Sequence, residues 1–96
     1  MKNIGGDIGY IYFIQGELTR RVKIGWSKNV EKRLIELQIC SPDKLSIVAL
    51  FRGTYEQEKR LHTKLEFWKV HGEWFEESVL YAFDIFPQLP EKHECE

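Results

Sequence analysis

Residues 10 to 33 constrain this chain more than any other stretch. Tyr10-Ile11-Tyr12-Phe13-Ile14 and Val22-Lys23-Ile24-Gly25-Trp26 alternate with a period of two and are rich in β-branched and aromatic residues, which predicts two strands. Between them, Gln15-Gly16-Glu17-Leu18-Thr19 is polar and carries a glycine, as a hairpin turn requires. After Gly25 the period becomes helical: Val30, Leu34 and Leu37 recur along one face to about Ile39, with Ser27 or Asn29 as the N-cap. Two strands and a helix thus bring a tyrosine, a lysine and an arginine, Tyr12, Lys23 and Arg33, into one short span.

The rest of the chain completes a small α+β domain. Pro42 disfavours helical geometry at Ser41 and ends the first helix. Leu45 to Arg52 is almost continuously apolar and predicts a central third strand buried on both faces. Thr54 followed by Gln57 fits a capping box, opening a second helix that runs to about Trp68 and ends before Gly72, a residue suited to a left-handed cap. Ser78 caps a third short helix through Val79, Leu80, Ala82, Phe83 and Phe86, stopped at Pro87. The expected order is β-β-α-β-α-α, a three-stranded antiparallel sheet flanked by helices. Residues 1–8 form a lead-in, 9–89 the single domain and 90–96 a polar tail.

Composition narrows the function classes. A hydrophobic fraction of 43% with 14% aromatics excludes a disordered chain. No apolar run approaches the roughly 20 residues of a membrane span, and the first residues lack a signal peptide's apolar stretch; the expectation is a cytoplasmic protein with no membrane contact. Cys40 and Cys95, far apart and outside any CxxC or Cys/His zinc spacing, read as reduced thiols. Net charge is −1, yet residues 1–48 carry eight basic against five acidic side chains, and residues 49–96 carry six against ten. Arg20, Arg21, Lys28 and Lys32 gather around the hairpin and first helix, with Trp26 beside them. They are candidate phosphate and base contacts, and equally ordinary solvated side chains, with Trp26 as a core-covering indole.

Glu58 stands out on physical grounds. Glu58, Leu61, His62, Leu65 and Trp68 share one helical stripe. The apolar members should pack on the sheet, which draws the carboxylate inward, where it is costly without compensation. A salt bridge to Arg33 or Arg52 would compensate; so would a divalent cation, since carboxylate oxygens suit Mg²⁺. His62, one turn on, is a candidate proton shuttle or a core histidine satisfied by hydrogen bonding. Glu73 competes for the metal and is the better candidate for orienting Arg33, His62 or the hairpin.

These pieces resemble the GIY-YIG nuclease superfamily. Tyr10-Ile11-Tyr12 stands at the first motif and Lys23-Ile24-Gly25 at the second, Arg33 follows Lys23 by ten positions, and Glu58-Lys59-Arg60-Leu61-His62 and Gly72-Glu73-Trp74-Phe75 complete the pattern. It is similar to the small phage-associated branch with a Lys-Ile-Gly second motif and a closing Gly-Glu-Trp-Phe. The likeness covers roughly residues 9 to 76. The chain departs from the commonest pattern at Tyr10, which replaces a glycine, and at Lys23, which replaces a tyrosine.

The resemblance implies a divalent-metal-dependent DNA endonuclease using Mg²⁺ or Mn²⁺. In that reading Tyr12 is the general base, Lys23 depresses its pKa or contacts a phosphate, Arg33 holds the scissile phosphate and Glu58 holds the metal. His62 is added as a proton donor to the leaving group. RNA or branched DNA is an alternative substrate with the same chemistry. No helix-turn-helix, zinc finger or basic arm is visible, so specificity is expected to come from a homodimer or a separate protein. The alternative function is a catalytically silent nucleic-acid-binding or protein-interaction module on the same fold.

Overall fold

A computed structural model describes residues 7–82 and 91–93. The alternating pattern forms the hairpin it predicts: β1 (Ile8–Gly16) pairs antiparallel with β2 (Val22–Ser27), placing Tyr12 opposite Gly25 and Ile14 opposite Lys23. The connecting turn is closed by the Arg20 N–H donating to the Gly16 carbonyl at 3.0 Å, with Arg20 at a positive φ of 63°. Asp43 clasps this turn from outside the hairpin. Its carboxylate accepts the backbone N–H groups of Leu18 and Thr19 at 2.8 and 3.1 Å and the Thr19 hydroxyl at 3.0 Å. Those donors hold the Asp43 carboxyl below the usual range.

Asn29 caps α1 (Val30–Ile39), its side-chain oxygen accepting the Lys32 N–H at 3.1 Å, while Ser27 Oγ accepts the Asn29 N–H at 3.0 Å. Both candidate cap residues are therefore used. Beyond Pro42 the chain enters β3 (Leu45–Thr54), which pairs antiparallel with the other side of β1. A register break at Phe13/Ile14 turns Val48 outward, 40% exposed. The Thr54–Gln57 capping box is complete and starts α2 (Tyr55–Lys64).

The sheet is larger than the sequence reading expects. Besides the three long strands it contains β4 (Lys69–His71), β5 (Trp74–Phe75) and β6 (Glu91–His93), in the order β4-β5-β2-β1-β3-β6. The three additions are two or three residues long, too short for a period to register. Glu91–His93, expected to fray, pairs with Leu50, Phe51 and Arg52 of β3. β1, not β3, is the strand buried on both faces: Ile11, Tyr12, Phe13 and Ile14 have no exposed surface. α2 stops at Lys64 and yields to a 3-10 turn at Glu66–Trp68. Gly72, with φ +61°, does not cap a helix but turns the β4–β5 hairpin. In place of an α-helix, Glu77–Tyr81 forms a 3-10 helix; the remainder of that predicted helix, and Cys95, lie outside the described residues.

The two helices cover opposite faces of this sheet. On one, Tyr12 and Ile14 pack with Val30, Leu34, Leu37 and Leu45. On the other, Ile11, Phe13, Ile24 and Phe51 pack with Leu61, Leu65, Phe75 and Val79. Each such buried side chain contributes about 1.5–3 kcal/mol, and together they fix the two layers on either face of β1. Among the described residues no helix is long and apolar enough to cross a membrane.

Candidate functional site

Tyr12 lies at the centre of the sheet, on the α1 face. Its fully buried ring passes over Gly25, where an added Cβ would collide first with the phenol oxygen and then with the ring. Glycine at this position is therefore space for the tyrosine. From the first turn of α1, Arg33 Nη1 donates to the Tyr12 hydroxyl at 3.3 Å, and its Nε lies 3.4 Å from Glu36. Burial pushes the phenol above its ordinary value; Arg33 offsets part of this, and the charges of Glu73 and Glu58 add to the rise.

Glu58 and His62 arrive from the opposite face. Leu61 and Leu65 anchor α2 in the core, and this rotation buries Glu58 to 1% exposure, as the helical stripe predicts. His62 Nε2 sits 2.9 Å from the Ile24 carbonyl and 2.6 Å from Glu58 Oε2. One N–H cannot serve both acceptors, and neither Glu58 oxygen receives a directed hydrogen bond. The imidazole is also packed edge-on against Phe75, with ring centroids 5.1 Å apart. Burial alone would lower the His62 pKa, but Glu58, the Ile24 carbonyl and Glu73 outweigh it and leave it raised.

Glu73 closes the cluster from the β4–β5 hairpin. Its backbone carbonyl accepts the Ile24 N–H at 3.1 Å, and its Oε1 pairs with Lys23 Nζ at 2.9 Å. Burial would raise the Glu73 carboxyl; Lys23 and His62 reverse this and hold it below the usual range. One donor atom each from Glu58, His62 and Glu73 lie within 4.8 Å of one another. Two carboxylates, one of them buried without a directed partner, suit a hard divalent cation. The imidazole suits it less, because its Nε2 already faces the Ile24 carbonyl.

The remaining predicted residues divide. Lys23 does not lie against the Tyr12 phenol: it faces Ile14 across the hairpin, pairs with Glu73, and rests 5.6 Å from the centre of the Trp74 ring. The cation on the phenol is Arg33. Trp26 donates from its indole nitrogen to the Gly53 carbonyl at 3.0 Å, stacks edge-on with Tyr55 and fills the space above Gly9, so its ring is committed to packing. Arg20 pairs with Glu77 and Lys28 with Asp7, both at 2.9 Å. Arg21 and Lys32 are exposed. The sequence reading offers Glu73 the hairpin as one of its targets but does not name Lys23, 50 residues away, as the partner; the signal for the pairing is the shared membership of Lys-Ile-Gly and Gly-Glu-Trp-Phe in one family pattern.

Fold and site together define a small α+β domain with a carboxylate–imidazole cluster at the edge of an antiparallel sheet, beside a buried tyrosine–arginine pair. Residues 9–88 match the T5orf172 domain, and the chain belongs to that family, a GIY-YIG-like, phage-associated domain of nuclease type. No curated protein and no solved structure matches the chain.

Proposed function

We propose that this domain is a divalent-metal-dependent DNA endonuclease. The observation that carries the reading is the buried Glu58 carboxylate, with no directed hydrogen bond, gathered with Glu73 and His62, while the Tyr12–Arg33 pair stands where the charges of Glu73 and Glu58 act on the phenol. Glu58, assisted by Glu73, would hold Mg²⁺ or Mn²⁺, which supplies positive charge for a phosphate oxygen. Arg33 is hydrogen-bonded to the phenol and offers a planar fork for the scissile phosphate. Burial and the charges of Glu73 and Glu58 hold the phenol above its ordinary value; Arg33 and a cation on those carboxylates would oppose this, and once the phenol has passed its proton to solvent the phenolate would accept a proton from the attacking water. Lys23 positions Glu73 through their 2.9 Å ion pair. His62, raised in pKa and hydrogen-bonded near Glu58, is placed to keep a proton available for the leaving oxygen.

The complete burial of Tyr12 favours a second reading, a silent nucleic-acid-binding module, because a base must meet its water. Incubation with supercoiled plasmid, short duplex, branched and single-stranded DNA and RNA, with and without Mg²⁺ or Mn²⁺, separates the two. Nicking that needs metal and disappears in Tyr12→Phe and Glu58→Ala is the expected result. Binding that weakens with salt, without cleavage under either metal, would establish the silent module. Full cleavage by both variants would remove these residues from the chemistry.

A further inference from the structure

A second site lies next to the first. The β1–β2 turn, the α1–β3 loop and β5 enclose an open cavity of about 230 Å³. Trp74, Pro42 and Leu45 supply its apolar lining, and Asp43 and Arg21 are its charged members. The volume falls below the ~300–1,000 Å³ of sites for drug-sized ligands, and suits a single flat ring system. Trp74 links it to the candidate active site directly. The indole follows Glu73 in the chain, pairs in register with Lys23, and has the Lys23 ammonium 5.6 Å from its ring centre.

Charge decides what enters. Asp43 keeps its carboxylate ionised, held by Leu18 and Thr19, which disfavours an anion beside it. Arg21 is exposed, and no ion-pair partner for its guanidinium exists among the described residues. A neutral aromatic group beside the indole with a negative charge on Arg21 matches both features. We propose that the cavity takes one unpaired nucleobase of the substrate strand, stacked against Trp74, with the adjoining phosphate on Arg21. This rests on the nuclease reading and narrows it: the substrate presents an unpaired nucleotide beside the scissile bond, as in a flap, a junction or a single strand.

The test uses the full chain carrying Glu58→Gln, which prevents cleavage, and a DNA hairpin with a single-stranded extension. Abasic residues are walked through the extension and affinity is measured by anisotropy. One position should lose about 5- to 150-fold in affinity, the range of base–aromatic stacking, and 2-aminopurine at that position should be quenched on binding. Adding Arg21→Ala, an exposed change that leaves the fold intact by circular dichroism, should weaken binding, and adding Trp74→Leu should abolish the quench. Equal affinity at every abasic position, or unchanged binding with Arg21→Ala, overturns the base site while leaving nuclease activity standing. Absence of binding to any nucleic acid overturns both.

Discussion

Replacing Glu58 by methionine should make the metal-free protein more stable. The side chain is 1% exposed, and neither carboxylate oxygen has a directed hydrogen bond. An unsatisfied buried polar group costs about 1–3 kcal/mol, more when charged. Methionine fills a similar volume without polar atoms and adapts to irregular space. A gain of about 1–3 kcal/mol follows, and in a domain of this size each kcal/mol moves Tm by roughly 4–8 °C. The pH must be chosen with His62 in mind. Its pKa is raised in the folded state by Glu58, the Ile24 carbonyl and Glu73 against the effect of burial. The stabilisation from this protonated pair is therefore present below the unfolded value of ~6.5 and is lost as pH rises through the folded value. As pH rises through the folded value the imidazole loses its proton and its charge pairing with Glu58, so the advantage of Glu58→Met grows toward pH 9 and shrinks toward pH 5. Urea unfolding in EDTA across this range measures it. Without EDTA, Mg²⁺ or Mn²⁺ should then stabilise the wild-type protein, the gain rising with the logarithm of ligand concentration above Kd, and leave Glu58→Met unmoved. A variant less stable than wild type at pH 9 in EDTA would refute the argument that Glu58 is kept at a cost to folding.

Three other perturbations follow from the geometry. Gly25→Ala forces a methyl into the Tyr12 hydroxyl; overpacking of this kind costs about 1–3 kcal/mol, and Tm and cleavage should fall together, whereas Gly53→Ala, which meets a flexible Gln57 tip and Ile11, should spare cleavage. Thr54→Ala removes the hydroxyl that caps α2, and urea unfolding should register a loss of about 1 kcal/mol. Asp43 has a lowered pKa in the fold because the Leu18 and Thr19 N–H groups bind its charged form; its contribution to stability is present above the unfolded value of ~3.9 and is lost as pH falls through the folded one. Asp43→Asn should flatten that acid limb of the stability curve, and an unchanged limb would mean the clasp contributes nothing.

What could be read from the sequence was whatever a local rule controls. Alternation set the Tyr12–Gly25 face of the hairpin, Asn29 and Thr54 marked two helix starts, and the Leu61–Leu65 stripe placed Glu58 inside. Features that depend on distant contacts were not legible. The two residues of β5 carry no period, and become a strand only because Val22 and Lys23 offer a free edge. Gly72 has the left-handed backbone expected of it, but whether that ends a helix or turns a hairpin is decided by the pairing of Lys69 and His71 with β5. Lys23 and Tyr12 share one hairpin, which in sequence terms points the ammonium at the phenol; in the fold it pairs with Glu73. The third long strand reads as central because it is apolar, yet β2 and β3 pair with the two edges of β1, and the register break at Phe13/Ile14 exposes part of β3.

The order of these residues along the chain has a consequence for synthesis. Tyr12 and Arg33 belong to the hairpin and α1, whereas Glu58 and Glu73 come from later segments. The four groups stand together only after β5 has paired with β2. On the proposed reading, the chain acquires its chemistry late in its own synthesis.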